Sequence, residues 1–495
     1  MLESISRYLH ALITNNDPHS PVPNPHSKSG FVANPPILIM EMNKSLLFMP
    51  VTLIFLVFAA AGNLVSQDLP TRQIEDDSPL RISLENSWFR ETPGNVMVKK
   101  PEIHTLRGGS RIQVRVEPSG QNRDEFAIVL AREQNGVYSG WAQGSWVLIR
   151  RRDNNPEGSR IRIFPRSDYN TYIQFRPFNS EKCLLDVVLY DAYLIRSLPV
   201  PIPFERLYTL PVEAALETAG NRFPRRYFDP EPGLYRDTRS FIAEVRSRLP
   251  ELTYMDDGAI DENCSYVFID SLKAQDSESG TKTGLNCSGF AKWIVDGILK
   301  PHTGERLPIA PLKKPFERRE SSLDERWEPR LDTYFGLDWC RNLASLSGAA
   351  LRSPSFGTLD EIEVRNWPFS QVIARRSGSS AVNSYPGFLT NAGFGFEGLH
   401  PLLYTLAVDE PNRIYLAAVN NEIAAPVTPD NPRGLPVLRR YYHIAVLVPY
   451  FNERGSFQVA VFESAAETNF NRFKTRYPGQ YVNLMRVPVD GKFEE

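Results

Sequence analysis

The feature that most constrains this chain is a loop-to-helix junction at residues 284–290, which read Gly-Leu-Asn-Cys-Ser-Gly-Phe. An apolar run with helical spacing follows from Ala291 to Leu299, and Lys300-Pro301 is expected to close that helix. The junction places Cys287 at a helix N-terminus, where unpaired N–H groups and aligned dipoles carry about half a positive charge. A thiol held there ionises more easily, and the thiolate is the nucleophile. The junction therefore predicts a reactive cysteine.

The N-terminal residues predict export from the cytoplasm. Residues 42–66 combine a lysine, an apolar run from Leu46 to Ala61 and small polar residues, which is the order of a secretory signal peptide. The apolar run is shorter than the ~20 residues of a membrane-spanning helix. Residues 1–41 show no core periodicity, and we interpret them as an extension from a mispredicted start. We expect a periplasmic or cell-envelope location, with membrane contact only through residues 42–66 if they stay uncleaved.

The four cysteines set a limit on disulfide bonding. They are Cys183, Cys264, Cys287 and Cys340. An oxidising compartment allows disulfides, but if Cys287 stays free, at most one bridge can form among the other three. The first pairing to test is Cys264 with Cys340, although spacing alone does not fix connectivity.

Charge and motif content exclude several classes of partner. The formal net charge is −2, and no polybasic run indicates a nucleic-acid partner. The chain has no metal-ligand spacing and no glycine loop that would cradle phosphate. No cofactor is therefore expected, and the oligomeric state is left open.

Residues 67–200 predict an all-β domain of sandwich or barrel type. Short runs rich in β-forming residues are separated by turn clusters. The predicted strands are Arg111 to Val116, Phe126 to Leu130, Ser145 to Ile149, Arg160 to Phe164, Tyr172 to Phe175 and Leu184 to Tyr193. The proline-rich segment Leu198 to Pro203 then predicts a stiff, extended linker.

Beyond the linker, helices and strands indicate an α+β region. Apolar spacing predicts a helix from Asp237 to Leu249, the Cys287 helix and a helix near Trp339 to Leu346. The pattern from 301 to about 410 is otherwise irregular. The predicted C-terminal strands are Ile414 to Val419, Tyr441 to Val448, Phe457 to Phe462 and Tyr481 to Val487. One core helix that carries the cysteine, followed by a group of strands, gives α+β as the fold class.

A cysteine nucleophile needs a base, usually a histidine. Of the seven histidines, His10, His19 and His26 lie within residues 1–41, before the predicted signal peptide, and His104 belongs to the β domain. His302 lies just beyond the far end of the predicted Cys287 helix, roughly 20 Å from the thiol. His400 falls in a loop-like segment. His443 opens a run that is apolar at every later position, which is typical of a strand buried on both faces. We therefore prefer His443 as the base.

A third group is expected to orient the imidazole. The strand after His443 ends on Glu463, which shares a face with Phe457, Val459 and Val461 by the two-residue period. A carboxylate that ends an apolar face needs a partner, and a histidine on the neighbouring strand would supply one. Glu463 is the preferred orienting residue, and Gln458 and Asn469 are weaker candidates.

The run Asn-Cys-Ser-Gly-Phe resembles the Asp-Cys-Ser-Gly-(Phe/Leu) nucleophile motif of the NlpC/P60 family of papain-like cell-wall cysteine peptidases. In that family the cysteine starts a helix, a histidine starts a later strand, and a polar residue lies on the next strand. Cys287, His443 and Glu463 follow this order. Three departures stand out: Asn286 replaces the aspartate, the third residue is a glutamate, and Cys287 and His443 are 156 residues apart.

The resemblance implies a papain-like catalytic domain at 201–495, interrupted by an insertion at about 301–440 that would form a lid, a substrate wall or a separate subdomain. It also implies hydrolysis of peptide bonds in peptidoglycan stems, commonly the γ-D-glutamyl to diamino-acid bond, without a cofactor. Two alternatives stay open. The same fold supports amidases and acyltransferases, and a catalytically inactive cell-wall scaffold would also show an unusual third residue and a long insertion.

Other residues have competing interpretations. Cys340, near another predicted helix start, is a rival nucleophile, although a structural or disulfide role is the preferred one. The arginines at 150–152 are suited to an anionic wall polymer or to a solvated strand end, and the second is preferred. Trp141 and Trp146 are suited to stacking on sugars, but tryptophans in a β domain more often lie in the core.

Overall fold

The computed structural model describes residues 74–118, 124–155, 159–275, 282–317, 332–351, 358–376, 379–383, 387–424 and 437–495. The predicted extension at 1–41 and the predicted signal peptide at 42–66 lie outside the described residues. Everything described below belongs to one compact unit, Val65–Glu495.

This unit mixes helices with large antiparallel sheets, so the α+β class is confirmed at that level. The helices are α1 (Ser78–Leu84), α2 (Pro93–Met97), α3 (Val212–Glu217), α4 (Arg236–Arg248), α5 (Cys287–Thr303), α6 (Ile309–Leu312), α7 (Phe335–Ala350), α8 (Leu359–Ile362), α9 (Leu399–Asp409) and α10 (Phe470–Arg476). A π-helical turn at Glu85–Phe89 follows α1. Short 3₁₀ turns lie at Phe204–Tyr208, Gly220–Arg222, Arg225–Tyr227, Pro232–Tyr235, Leu249–Glu251 and Phe396–Gly398.

The first sheet is an antiparallel meander in which most neighbours in sequence are neighbours in space. Its order is β1-β2-β3-β5-β6-β7-β8-β9-β12-β13, and β4 pairs with β3. The strands are β1 (Glu102–Thr105), β2 (Arg111–Pro118), β3 (Glu125–Gln134), β4 (Val137–Tyr138), β5 (Trp146–Arg151), β6 (Arg160–Ile163), β7 (Tyr172–Pro177), β8 (Cys183–Leu189), β9 (Ala192–Val200), β12 (Gln371–Arg376) and β13 (Ser379–Asn383). The two-stranded ladder between them in sequence is β10 (Gly258–Ile260) with β11 (Tyr266–Phe268).

Three expectations for this region are corrected. The segment 67–200 is not all-β, because α1, the π turn and α2 precede the first strand and bury Trp88 and Phe89 against one face of the sheet. The run from Leu184 to Tyr193 is a hairpin, since Tyr190 and Asp191 adopt positive φ and turn the chain between β8 and β9. The start of the predicted linker, 198–200, belongs to β9.

The second sheet carries the candidate site. Its order is β14-β19-β15-β16-β17-β18, and every pairing is antiparallel. The strands are β14 (Phe394–Gly395), β15 (Arg413–Ala424), β16 (Val437–Phe451), β17 (Phe457–Glu463), β18 (Ala466–Thr468) and β19 (Tyr481–Pro488). All four C-terminal strands predicted from the sequence are present.

Both faces of this sheet are covered. Ile444, Val446 and Val448 of β16 pack into a core shared with α5 and α7, while Ala445 and Leu447 pack into a core shared with α9 and α10. This confirms the prediction that the strand after His443 is buried on both sides, and it explains why each position from 444 to 448 is apolar.

Helix α5 runs one turn beyond its predicted end. Pro301 lies inside the helix, which stops at Gly304 with a positive φ of 75°. A proline has no N–H for the carbonyl four residues earlier, which is that of Gly297. The backbone N–H of Glu494 donates to the Gly297 carbonyl at 2.9 Å, so the C-terminal segment satisfies the group that Pro301 leaves unpaired. The expectation that Lys300-Pro301 closes the helix is therefore wrong.

The described residues of the predicted insertion, 301–440, are distributed over the unit. Strand β15 lies between β16 and β19, so it is central to the second sheet. Helix α7 packs in the same core as α5. Strands β12 and β13 instead extend the first sheet beyond β9. This part of the chain joins the two sheets of one unit.

Among the residues that the structure describes, no helix has both the length and the apolar character needed to cross a bilayer.

Candidate active site

The loop that presents Cys287 is held by its backbone and by a side-chain cap. Asn286 is the N-cap of α5, and its side-chain oxygen accepts a hydrogen bond from the Gly289 N–H at 2.8 Å. The Asn286 N–H donates to the Gly258 carbonyl at 2.9 Å, and the Asn286 carbonyl accepts from the Phe290 N–H. Asparagine thus provides here the capping oxygen that aspartate would provide.

Close backbone packing explains the glycine of the Cys-Ser-Gly run. A Cβ atom on Gly289 would lie 2.0 Å from the Gly258 carbonyl oxygen, so no larger residue fits where α5 meets β10. On the other side of the helix start, the Trp339 indole N–H donates to the Ser288 carbonyl at 2.9 Å. Cys287 is therefore the first residue of a 17-residue helix whose start is fixed on both sides.

His443 approaches the thiol from β16, directly after a bulge. The ladder pairs Val419 with His443 but Asn420 with Tyr441, so Tyr442 is the extra residue. Bulges commonly re-aim side chains next to active sites. The imidazole of His443 lies close enough to the Cys287 thiol for each group to shift the pKa of the other, and its Nε2 lies 2.7 Å from Glu463 Oε2. Because an imidazole has two nitrogens, this leaves Nδ1 for the thiol.

Glu463, at the end of β17, is held by three partners. One oxygen meets His443, and the other accepts from the Thr468 hydroxyl at 2.7 Å and from the Arg476 guanidinium at 2.7 Å. The side chain is only 5% exposed. Ser464 and Ala465 adopt positive φ in the tight turn that brings β18, and with it Thr468, back alongside β17. Any movement of the carboxylate away from His443 would therefore also disturb its hydrogen bonds with Thr468 and Arg476.

These contacts shift the titration of all three groups. Burial opposes ionisation of Cys287, but the hydrogen bond from His443 and its positive charge outweigh burial and lower the pKa of the thiol. Burial would also lower the pKa of His443, but its bonds to Cys287 and Glu463 raise that pKa to about 9. The Glu463 pKa falls to about 2 despite burial, because His443, Thr468 and Arg476 all stabilise the carboxylate. The arrangement favours a thiolate–imidazolium pair at neutral pH.

The start of α5 also offers hydrogen-bond donors beside the thiolate. The first N–H groups of a helix have no partner within it. Among the residues that the structure describes, the backbone N–H groups of Cys287 and Ser288 have no acceptor, whereas those of Gly289 and Phe290 are bonded to Asn286. Two adjacent N–H groups at a helix start can stabilise an oxyanion that forms next to the sulfur.

The other candidate histidines lie elsewhere. His400 is on α9, not in a loop, and its ring stacks among Tyr190, Phe457 and Phe470 at centroid distances of 3.9 to 5.7 Å. Burial lowers the pKa of His400 to about 3, so its imidazole is neutral at neutral pH. The ring contacts that the structure describes for it are aromatic side chains and not a thiol. His302 is paired with Asp490 at the far end of α5.

The two weaker candidates for the orienting residue have other roles. Gln458 is near the beginning of β17, opposite Tyr450. Asn469 caps α10 by accepting hydrogen bonds from the N–H groups of Asn471 and Arg472. The structure brings neither side chain into hydrogen-bond contact with His443 among the described residues.

Cys340 does not qualify as a rival nucleophile. It is fully buried in the middle of α7, and burial raises its pKa well above the usual value. All four cysteines are free, and Cys264 is exposed while Cys340 is buried, so the pairing first considered for a disulfide is absent. Cys287, by contrast, is partly exposed to solvent.

Sequence reasoning missed four neighbours of the site. Thr468 and Arg476 anchor Glu463, and the Tyr477 ring lies 6.0 Å from the His443 ring. Tyr254, which is 55% exposed, has a raised pKa because of burial and the nearby charges of Asp256 and Cys287. The only signal in the sequence was that a carboxylate ending an apolar strand needs partners, which does not say where they are.

Comparison with known proteins informs a different part of the chain. A family model described as a domain of unknown function, DUF8515, matches residues 70–227, which is 158 of 495 residues. No curated protein and no solved structure matches the chain. The matched segment covers the first sheet from β1 to β9 and ends before Cys287, His443 and Glu463.

Proposed function

We propose that this chain is an exported cysteine peptidase that hydrolyses peptide bonds in peptidoglycan stem peptides, with residues 201–495 forming a papain-like catalytic domain of the NlpC/P60 type. The observation that carries the proposal is the placement of three groups at the start of a helix: Cys287 is its first residue, His443 is close enough to lower the pKa of that thiol, and Glu463 lies 2.7 Å from His443 Nε2. The resemblance of the Asn-Cys-Ser-Gly-Phe motif to the nucleophile motif of the NlpC/P60 family supports the proposed family. The signal-peptide pattern at 42–66 supports a substrate outside the cytoplasm.

The reaction begins with attack of the Cys287 thiolate on the scissile carbonyl carbon. The carbonyl electron pair moves to oxygen, where the N–H groups of Cys287 and Ser288 stabilise the negative charge. Collapse of this intermediate breaks the C–N bond, and the imidazolium of His443 gives its Nδ1 proton to the leaving amine. The product is a thioester between the acyl group and Cys287.

Hydrolysis of the thioester regenerates the enzyme. Neutral His443 now removes a proton from water, and the resulting hydroxide attacks the acyl carbon. The C–S bond breaks, the acid product leaves, and the thiolate is again paired with an imidazolium. Glu463 does not take a proton in either half of the cycle; it orients the imidazole and stabilises its positive charge.

The decisive experiment is digestion of purified peptidoglycan by the mature chain, with the products identified by mass spectrometry. We expect a new amine and a new carboxyl terminus within the stem peptide, formed by the parent chain and by Cys264→Ala but not by Cys287→Ala. Cys264 is the matched control because it is an exposed cysteine outside the site. If no product depends on Cys287, the peptidase proposal fails and the catalytically inactive scaffold is the remaining interpretation. Cleavage of the bond between glycan and peptide would instead indicate an amidase.

Export has its own test. N-terminal sequencing of the protein recovered from its producing cells should begin near Gly62 or Gln67, according to the predicted cleavage after Ala61 or Ser66. Recovery of residues 1–41 on the protein would contradict both the start-site interpretation and the signal peptide.

A further inference from the structure

The first sheet carries a cavity of about 280 Å³ on the face opposite α1 and the π turn, close to the lower limit of ~300 Å³ for small-molecule sites. It belongs to the segment matched by the DUF8515 model and contains none of the catalytic residues. Its floor consists of four aliphatic side chains from β3 and β5, namely Ala127, Val129, Val147 and Ile149.

The register of the sheet arranges charged groups on both sides of this floor. Arg115 pairs with Val129, Val129 pairs with Val147, and Val147 pairs with Arg162, so one row crosses four strands from β2 to β6. At a spacing of about 4.8 Å per strand, the two arginine backbones lie roughly 14 Å apart. That width accommodates a sugar ring with its substituents.

The two sides of the cavity differ in charge. Arg115 is already neutralised, because its guanidinium donates to Glu117 at 2.7 Å and to Gln113 at 2.8 Å. Arg162 donates through Nε to Gln174 and stacks on the Tyr172 ring at 4.4 Å, and its two Nη nitrogens have no acceptor among the described residues. One side thus presents a neutral donor–acceptor pair, and the other presents a fixed cation.

Two exposed aromatic rings complete the cavity. Trp141, from the loop between β4 and β5, is 42% exposed, and Tyr169, from the loop between β6 and β7, is 48% exposed. Large aromatic side chains usually bury most of their surface. Gly140 lets the loop that carries Trp141 lie close to the floor of the cavity, because a Cβ atom on residue 140 would come within 3.0 Å of Val129 Cγ1.

We propose that this cavity, which we call the Trp141 groove (Arg115, Glu117, Trp141, Arg162 and Tyr169 around the aliphatic floor), binds a pyranose ring that carries a carboxylate, within a glycan chain. The aromatic rings stack on the apolar C–H faces of the sugar, the Arg115–Glu117 pair meets its hydroxyl and amide groups, and Arg162 binds the carboxylate. That this sugar comes from a cell-wall glycan rests on the proposed function. The preference of the groove for an acidic sugar rests only on its own residues.

The test uses two glycans that differ mainly in the carboxylate. Peptide-free peptidoglycan strands carry a lactyl carboxylate on alternate N-acetylated sugars, whereas chitin oligosaccharides have N-acetylated sugars without it. Binding to the mature Cys287→Ala chain is measured by titration calorimetry. We expect peptidoglycan strands to bind about tenfold more tightly than chitin oligosaccharides of equal length, as one charge-assisted hydrogen bond would give.

Variants assign the contacts. Trp141→Ala and Tyr169→Ala should each weaken binding of both glycans about tenfold, while Trp141→Phe restores most of it. Arg162→Gln should weaken only the acidic strands, to the affinity of chitin. Matched controls are Phe178→Ala, an aromatic 60% exposed outside the groove, and exposed Arg107→Gln; both should bind as the parent does.

Several results would overturn the proposal. Unchanged glycan binding by Trp141→Ala and Tyr169→Ala, or no binding by the parent, would remove the groove as a sugar site. Equal affinity for the two glycans would remove the role of Arg162. Failure of the peptidase proposal is distinguishable, because binding is measured without turnover, and Trp141→Ala should still cleave a small soluble stem peptide at the parent rate.

Discussion

His443 and His400 both lie on elements of the second sheet or its covering helices, and both are only partly exposed to solvent. Their titration nevertheless moves in opposite directions. Between Cys287 and Glu463, the pKa of His443 rises to about 9, whereas among Tyr190, Phe457 and Phe470 the pKa of His400 falls to about 3. Burial disfavours the imidazolium in both regions. The neighbouring Cys287 thiol and Glu463 carboxylate offset this effect at His443 alone, and they make it the catalytic candidate.

The largest difference is expected in catalysis. His443→Ala removes both the group that keeps the thiol ionised and the proton donor for the leaving amine, so kcat/KM should fall by a factor on the order of 10³ or more. His400→Phe keeps a ring in the aromatic cluster and should leave kcat/KM within about twofold. Steady-state hydrolysis of a soluble stem peptide measures both.

Equal losses in the two variants would break this comparison, since they would mean that the second sheet tolerates no change at either position. Circular dichroism and unfolding by urea show whether each variant is folded, so that loss of structure is not mistaken for loss of the base.

A change of intermediate size is expected at the orienting residue. Glu463→Gln keeps a hydrogen bond to His443 but removes the charge, so the pKa of the imidazole should fall and that of the Cys287 thiol should rise. We expect kcat/KM to drop about 10- to 100-fold. Iodoacetamide alkylation of Cys287 as a function of pH should show the thiolate forming at higher pH than in the parent.

Two further variants sharpen the assignment. Arg476→Gln removes one partner of Glu463 and should shift the alkylation profile in the same direction by a smaller amount. Glu467→Gln is the control, because this exposed carboxylate on β18 is paired with Arg246 and does not contact His443. If Glu467→Gln shifts the profile as much as Glu463→Gln, general charge loss and not the bond to His443 sets the thiol pKa.

The contrast between local and distant information also decides what the sequence could predict. The start of α5 follows from neighbouring residues: a polar residue before Cys287, then an apolar stripe. The side-by-side placement of His443 and Glu463 follows from the two-residue period of adjacent strands. The helix start is encoded within neighbouring residues, and the histidine and the glutamate are only 20 residues apart on consecutive strands.

The errors occur where a distant residue decides the local outcome. Pro301 does not end α5, because Glu494 satisfies the carbonyl that the proline leaves unpaired. The segment around β12 extends the first sheet, although that sheet is otherwise complete by residue 200. Arg476 reaches Glu463 only through the packing of α10. Local periodicity carries no information about such contacts.

Stability in acid provides a third test of the two histidines. An unfolded imidazole has a pKa of about 6.5, while that of folded His400 is about 3. Between these values the unfolded chain binds a proton that the folded chain refuses, so the free energy of unfolding falls as the pH falls from 6.5 towards 3. His400→Phe has no such proton and should lose up to about 2 kcal/mol less than the parent between pH 6.5 and 5.

Urea unfolding at several pH values measures this difference, and Phe470→Leu serves as the control because it alters the same aromatic cluster without removing a titratable group. If the free energy of unfolding depends on pH in the same way for the parent and for His400→Phe, the pKa of His400 is not lowered in the folded chain. Only the raised pKa of His443 would then remain from the comparison.

The smallest effect is expected at the cap of α5. Asn286→Ala removes the oxygen that accepts from the Gly289 N–H and should lower the free energy of unfolding by about 1 kcal/mol. Asn286→Asp keeps the oxygen and adds a negative charge at the positive end of the helix, which should restore or slightly raise stability. The same charge lies next to Cys287 and should raise the pKa of its thiol. Urea midpoints and the pH profile of alkylation separate the two effects: a cap that only stabilises the helix would change the midpoint and leave the profile of Asn286→Asp where it is in the parent.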